Sequence, residues 1–100
     1  MKMHAIITNL VAQNEMQLSM WIEFFKSSSS KLMIDAGAIQ TSITRIAPNK
    51  AILVNIFPNK EKAEKAKSIA ADRKKQVKEL IKMETAEGEV VFNQNSLTHE

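Results

Sequence analysis

The sequence contains no cysteine and no tyrosine, and only two histidines, two glycines and two prolines among its 100 residues. Without cysteine there is no disulfide framework, no thiolate nucleophile and no thiolate metal site. No apolar run reaches the length of a membrane-spanning helix and no signal-peptide pattern is recognised, so the cytoplasm is the expected compartment. The two histidines, His4 and His99, lie near the chain ends with no carboxylate or hydroxyl partner at local spacing, so the usual acid–base candidates are few. No metal site and no cofactor are expected, and the six methionines read as gap fillers. Net charge is +3. It is uneven, because residues 60–82 hold nine Lys or Arg against four acids, +5, which leaves −2 elsewhere. That helix-like stretch carries acid-to-lysine pairs at helical reach, such as Glu61 with Lys65, and reads mainly as a solvated face.

What is present is one domain's worth of alternating elements, residues 1–100, with a tail over 95–100 expected to fray. Residues 3–12 are β-branched and apolar without helical spacing, which predicts a strand. Asn14 with Gln17 three residues on predicts a capping box and a helix start. Leu18, Trp21, Ile22, Phe25 and Leu32 share one arc of that helix, with Ser28 and Ser29 narrowing the stripe, and Gly37 is placed to end it in the left-handed conformation. Residues 38–46 and 51–57 read as a hairpin around Pro48-Asn49-Lys50. Asn59 is the expected N-cap of a long helix to about Met83, Gly88 marks a turn, and residues 89–93 form a short last strand. The order strand, helix, strand, strand, helix, strand is that of a ferredoxin-like α+β sandwich, a four-stranded antiparallel sheet with both helices on one face. In the third strand, Ile52, Val54 and Ile56 are assigned to the helices. Leu53, Asn55 and Phe57 then face outward, where a second copy's sheet would cover them, so a homodimer through the sheet face is expected.

With the segments Asp35-Ala36-Gly37-Ala38-Ile39-Gln40 and residues 52–66, ILVNIFPNKEKAEKA, the chain resembles the dimeric α+β barrel superfamily and, within it, antibiotic-biosynthesis-monooxygenase-like domains. The resemblance covers residues 3–93. It implies a homodimer and a pocket between sheet and helices for a small, apolar or aromatic molecule, with activities that range from cofactor-independent monooxygenation to haem degradation. Asn9 could match the first-strand Asn of the haem-degrading relatives, yet residues 60–83 contain no His to ligate iron, so haem chemistry is disfavoured.

Six residues stand out as candidates. Asn9 and Asn55 interrupt apolar strands, and a buried amide must find a partner, in a substrate or in the protein. Arg73 falls within the second helix's apolar arc, where it either meets an anion or snorkels to water. Asn9, Asn55 and Arg73 are therefore the candidate catalytic groups, as stabilisers of an oxyanion. Trp21, Phe57 and Arg45 are the candidate ligand-binding groups, Trp21 as a pocket wall. A non-catalytic ligand-binding or assembly module using the same dimer is the rival reading. Nucleic acid ranks third, because the central strands lack the aromatic platform of RNA-binding domains of this fold.

Overall fold

The computed structural model describes the backbone of residues 2–77 and 81–94, with side chains over 2–71 and 81–94. Its elements are β1 (His4–Ala12), α1 (Glu15–Phe24), a π-helical segment (Phe25–Ser29), α2 (Ser30–Asp35), β2 (Gln40–Ala47), β3 (Lys50–Phe57), α3 (Lys60–Val77) and β4 (Ile81–Glu89). The sheet is antiparallel in the order β2-β3-β1-β4. This is the ferredoxin-like arrangement expected from the element order.

Local chemistry sets the helix boundaries. The Asn14 side chain accepts from the Gln17 N–H at 2.9 Å, while Gln17 reaches back to the Gln13 N–H at 3.2 Å. Asn59 accepts from the Lys62 N–H at 2.9 Å and so caps α3. At the other end of α2, Gly37 has φ 114°, its N–H donates to the Ile34 carbonyl, and the Ala38 N–H donates to that of Met33. This is a Schellman closure, which needs a residue tolerant of positive φ. Between α1 and α2 the chain widens into one π-helical turn, where Ser27 and Ser28 both donate to the Phe24 carbonyl. Serine hydroxyls competing for backbone acceptors loosen the regular ladder, which accounts for a serine-rich turn at the irregularity.

Three expectations are corrected. The second long helix, described from Lys60 to Val77, does not reach Met83, because Ile81, Lys82 and Met83 already belong to β4. The last strand is accordingly Ile81–Glu89 and not residues 89–93; Gly88 sits within it opposite Ala5 and makes no turn. Alternating burial was masked in this stretch by its many charges, so helical spacing appeared to continue through it. The third correction inverts β3. Ala51, Leu53, Asn55 and Phe57 pair with Leu10, Thr8, Ile6 and His4 on the face that packs against the helices, and Phe57 is fully buried there. Ile52, Val54 and Ile56 lie on the outer face with Asn9, Ile7 and Ala5. Both faces of this strand are apolar, so period-two alternation could separate the faces without saying which one met the helices.

The core is the layer between sheet and helices: Leu10, Leu18, Phe57 and Ile81 are its most buried large side chains, with Ala63 and Ala66 bringing α3 close. The outer face keeps Ile7 and Val11 exposed. Beyond β4 the Val90 N–H still donates to the Met3 carbonyl, but Val91 and Phe92 stand 90% and 79% exposed.

Candidate functional site

Between the inner face of the sheet and the helices lies an apolar cavity of about 310 Å³. One wall is Trp21 and Phe25, one helical turn apart on the α1 face, stacked with ring centroids 5.3 Å apart and planes 23° from parallel. The floor is Ile6, Leu53 and Phe57 from the central strands and Met83 from β4; Ala66, Ala70 and Ala71 of α3 close the other side. The alanines matter here. Small residues on α3 leave volume that a run of leucines would fill, while the π-helical turn displaces Phe25 and Ser29 along the wall.

Few polar groups reach this space. Thr8 and Thr85, cross-strand partners on β1 and β4, place their hydroxyls 3.4 Å apart on its floor. Asn55 is 6% exposed and its Oδ1 has no hydrogen-bond partner. Its cross-strand neighbour Thr41 also has an unpartnered, inaccessible Oγ1. Lys67 forms the rim. It donates to Glu87 Oε2 at 2.5 Å and lies 3.6 Å from Glu64, while the other Glu87 oxygen contacts His4 Nε2 at 2.9 Å. The hydrogen bond from Lys67, then that with His4, holds the Glu87 carboxyl below its usual range; the same bond to Glu87 raises the Lys67 ammonium.

The six candidates separate. Trp21, Asn55 and Phe57 converge on the cavity. Asn9 does not: it lies on the outer face opposite Ile52 and Glu84, exposed, because it is one residue out of phase with Thr8. Arg45 is also elsewhere, donating to Ser19 Oγ at 2.8 Å and lying 3.9 Å from Glu15, so it ties β2 to α1 beside a second, more open hollow of about 430 Å³. The Arg73 side chain is outside the described residues. Three groups at or near the cavity escaped sequence reasoning: Thr41, Lys67 and the His4–Glu87 pair. His4 and Glu87 are 83 positions apart and meet only because β4 pairs with β1, a strand the sequence pattern had placed elsewhere. The alternation of β1 does hold a signal, since His4 shares the phase of Ile6, Thr8 and Leu10.

Among the described residues no group of three or more His, Asp or Glu is placed to hold a metal ion, and no helix is long and apolar enough to cross a membrane.

No family model matches the chain, and no curated protein matches it in sequence. Solved structures do match it. A dimeric ferredoxin-like protein from an uncultured marine organism superposes with a TM-score of 0.80 at 14% identity, over 94% of this chain and 100% of the other. A protein of unknown function from Nitrosomonas europaea gives 0.77 at 15% identity, over 95% of each chain. SnoaB, a cofactor-independent oxygenase from Streptomyces nogalater, gives 0.72 at 8% identity, over 95% of this chain and 97% of that one. At such identities the likeness is one of fold, and function must be argued from the site. The chain has the ferredoxin-like α+β fold that these dimeric and oxygenase structures share, along essentially its whole length.

Proposed function

We propose that this chain binds a small, largely aromatic molecule in the cavity between its sheet and helices, and acts on it as a cofactor-independent, monooxygenase-like enzyme. The observation that carries the reading is the cavity itself. It is an apolar space of about 310 Å³ walled by a stacked Trp21–Phe25 pair, with a single buried amide, Asn55, left without a partner for its oxygen. Ligand sites are typically ~300–1,000 Å³, mostly apolar, with a few polar groups that fix orientation. A flat aromatic molecule satisfies the walls by stacking, and Asn55 supplies the orientation. Oxygen chemistry without a cofactor requires a substrate that carries its own electrons. One oxygen atom of O₂ then enters the ring and the other leaves as water with two hydrogens from the substrate. The role of the protein is to enclose the pair, exclude bulk water and steady the developing oxyanion. Asn55 is the group best situated for this, through its amide N–H, and Trp21 and Phe57 hold the ring. Asn9 belongs to the opposite face of the sheet and takes no part.

That opposite face supports a homodimer. Ile7, Val11, Ile52 and Val54 form an apolar surface two strands wide, and Val91 and Phe92 extend beyond β4 almost uncovered. Burying one such side chain contributes about 1.5–3 kcal/mol. A second copy applied through the sheet covers these residues and leaves each cavity intact on the other side. The face expected from sequence, Leu53 and Phe57, is replaced in this role by its neighbours in alternation.

The direct test follows oxygen uptake and product formation with 1-anthranol or a dihydroxynaphthalene, alongside quenching of Trp21, the sole tryptophan. Saturable quenching with oxygen consumption above the uncatalysed rate is expected. Quenching without turnover would reduce the protein to a binding module, and no quenching at all would remove the ligand-site reading.

A further inference from the structure

The open hollow beside Arg45 has no part in the chemistry proposed above. It lies between the helical layer and the edge strand β2 and measures about 430 Å³. Ile22 and Phe25 from the helical side and Ile43 from β2 make up its apolar part, and Ser42 adds a hydroxyl. Its two charged lining residues, Lys26 and Arg45, are both cations, and among the described residues no acid lines it. Arg45 stands on the helix-facing side of β2, opposite Ala51, just before the register shift between Arg45 and Ala47. An irregularity of this kind at a strand end re-aims the side chains beside it. Here the guanidinium reaches across to Ser19 Oγ at 2.8 Å.

The acids near these cations stand outside the hollow. Lys26 lies 3.3 Å from Glu23 and Arg45 lies 3.9 Å from Glu15, and the two carboxylate side chains are 73% and 70% exposed. Surface pairs of this kind contribute little, so another anion can take the acid's place at small cost. The bond to Ser19 uses one of the guanidinium's several donors and holds its plane; the others remain for a carboxylate, which a rigid fork can grip at both oxygens. An inorganic anion would use the cations alone. Ile22 and Ile43 are half-buried, and the buried Phe25 lines both this hollow and the sheet–helix cavity, so the apolar part suits a hydrophobic body attached to the anion. We infer that the hollow is a second binding site, which takes a small carboxylate with an aryl or alkyl body. Arg45 and Lys26 hold the carboxylate, while Ile22, Phe25 and Ile43 cover the body. The site is separate from the sheet–helix cavity and does not depend on that cavity binding or turning over anything.

Calorimetry on the full chain tests this with 2-naphthoate, its neutral analogue 2-naphthamide, and acetate, which has the charge without the body. 2-Naphthoate is expected to bind about tenfold or more tighter than either of the others, the factor that a charge-assisted hydrogen bond carries over the amide. Added salt should shrink its lead over the amide, because the cations lie near the surface. Arg45→Gln should remove most of that lead and Lys26→Gln part of it, with binding of the amide unchanged. Arg45→Lys, which keeps the charge and loses the fork, should fall between wild type and Arg45→Gln. Backbone amide shifts in an isotopically labelled chain locate the probe: Lys26, Ser42 and Ile43 should move, while Thr8, Leu53 and Thr85 of the sheet–helix cavity should not. Equal binding of 2-naphthoate and 2-naphthamide, acetate binding as tightly as 2-naphthoate, no binding of any probe, or a lead that survives both Gln variants would each overturn the inference. Shifts confined to Thr8, Leu53 and Thr85 would overturn it as well, by putting the probe in the other cavity, and would leave the ligand-cavity reading standing.

Discussion

Replacing Asn55 by Leu should make the protein more stable. The two side chains branch alike at Cγ and are close in size, so the exchange neither opens a cavity nor overpacks one. Asn55 is 6% exposed and its Oδ1 is unpartnered, a condition worth about 1–3 kcal/mol against folding. Its cross-strand neighbour Thr41 loses no hydrogen bond in the exchange, because its Oγ1 makes none. For a chain of 100 residues each kcal/mol moves the melting temperature by roughly 4–8 °C. A rise of at least about 4 °C is therefore expected. Differential scanning calorimetry at one fixed protein concentration measures it, since self-association would make the melting temperature depend on concentration. Asn55→Ala removes the same oxygen but leaves a void, and should gain less. A melting temperature for Asn55→Leu equal to or below that of the wild type would refute the reasoning, because the amide would then be contributing to stability in the ligand-free protein. A gain in stability accompanied by loss of ligand binding is the pattern of a polar group kept for function.

Val54→Asp on the outer sheet face should convert a dimer to monomers in light scattering without loss of the far-ultraviolet spectrum; a wild type that is itself monomeric at micromolar concentration would dismiss the interface. Asn14→Ala removes the cap on the Gln17 N–H and should lower stability by about 1 kcal/mol, seen as a fall of several degrees in melting temperature. Gly37→Ala should be more damaging than a surface change, since φ is 114° and the added methyl would lie 2.8 Å from Lys62 Cδ. The Lys67–Glu87–His4 contacts give stability a defined pH window. Glu87, lowered from 4.5, contributes fully above that value and loses its contribution as pH falls through the lower folded-state value. Lys67, raised from 10.5, contributes fully below that value and loses its contribution as pH rises through the higher one. Urea midpoints measured across pH should show both limbs, and Glu87→Gln should flatten them.

By itself the sequence determined what depends on neighbours along the chain. Asn14, Asn59 and Gly37 act on amides and carbonyls within a few residues, so the helix starts and the first helix's stop could be read from spacing, as could the hairpin at Pro48-Asn49. The element order that follows was enough for the ferredoxin-like topology, because short antiparallel connections leave few alternatives. Tertiary structure decided everything that compares distant segments. Alternation in β3 separated Ile52, Val54 and Ile56 from Leu53, Asn55 and Phe57. Only packing against Trp21, Phe25 and α3 settled which set is inside, and with it which face a partner can cover. The same docking turned Asn9 out of the site while keeping Asn55 in it. Where helical and strand periods were both obscured by lysines, after Val77, the pairing of β4 with β1 fixed the strand and brought Glu87 to His4 across 83 residues. Hydrogen bonds and burial reward such contacts only once the sheet has formed, so no local pattern could have announced them.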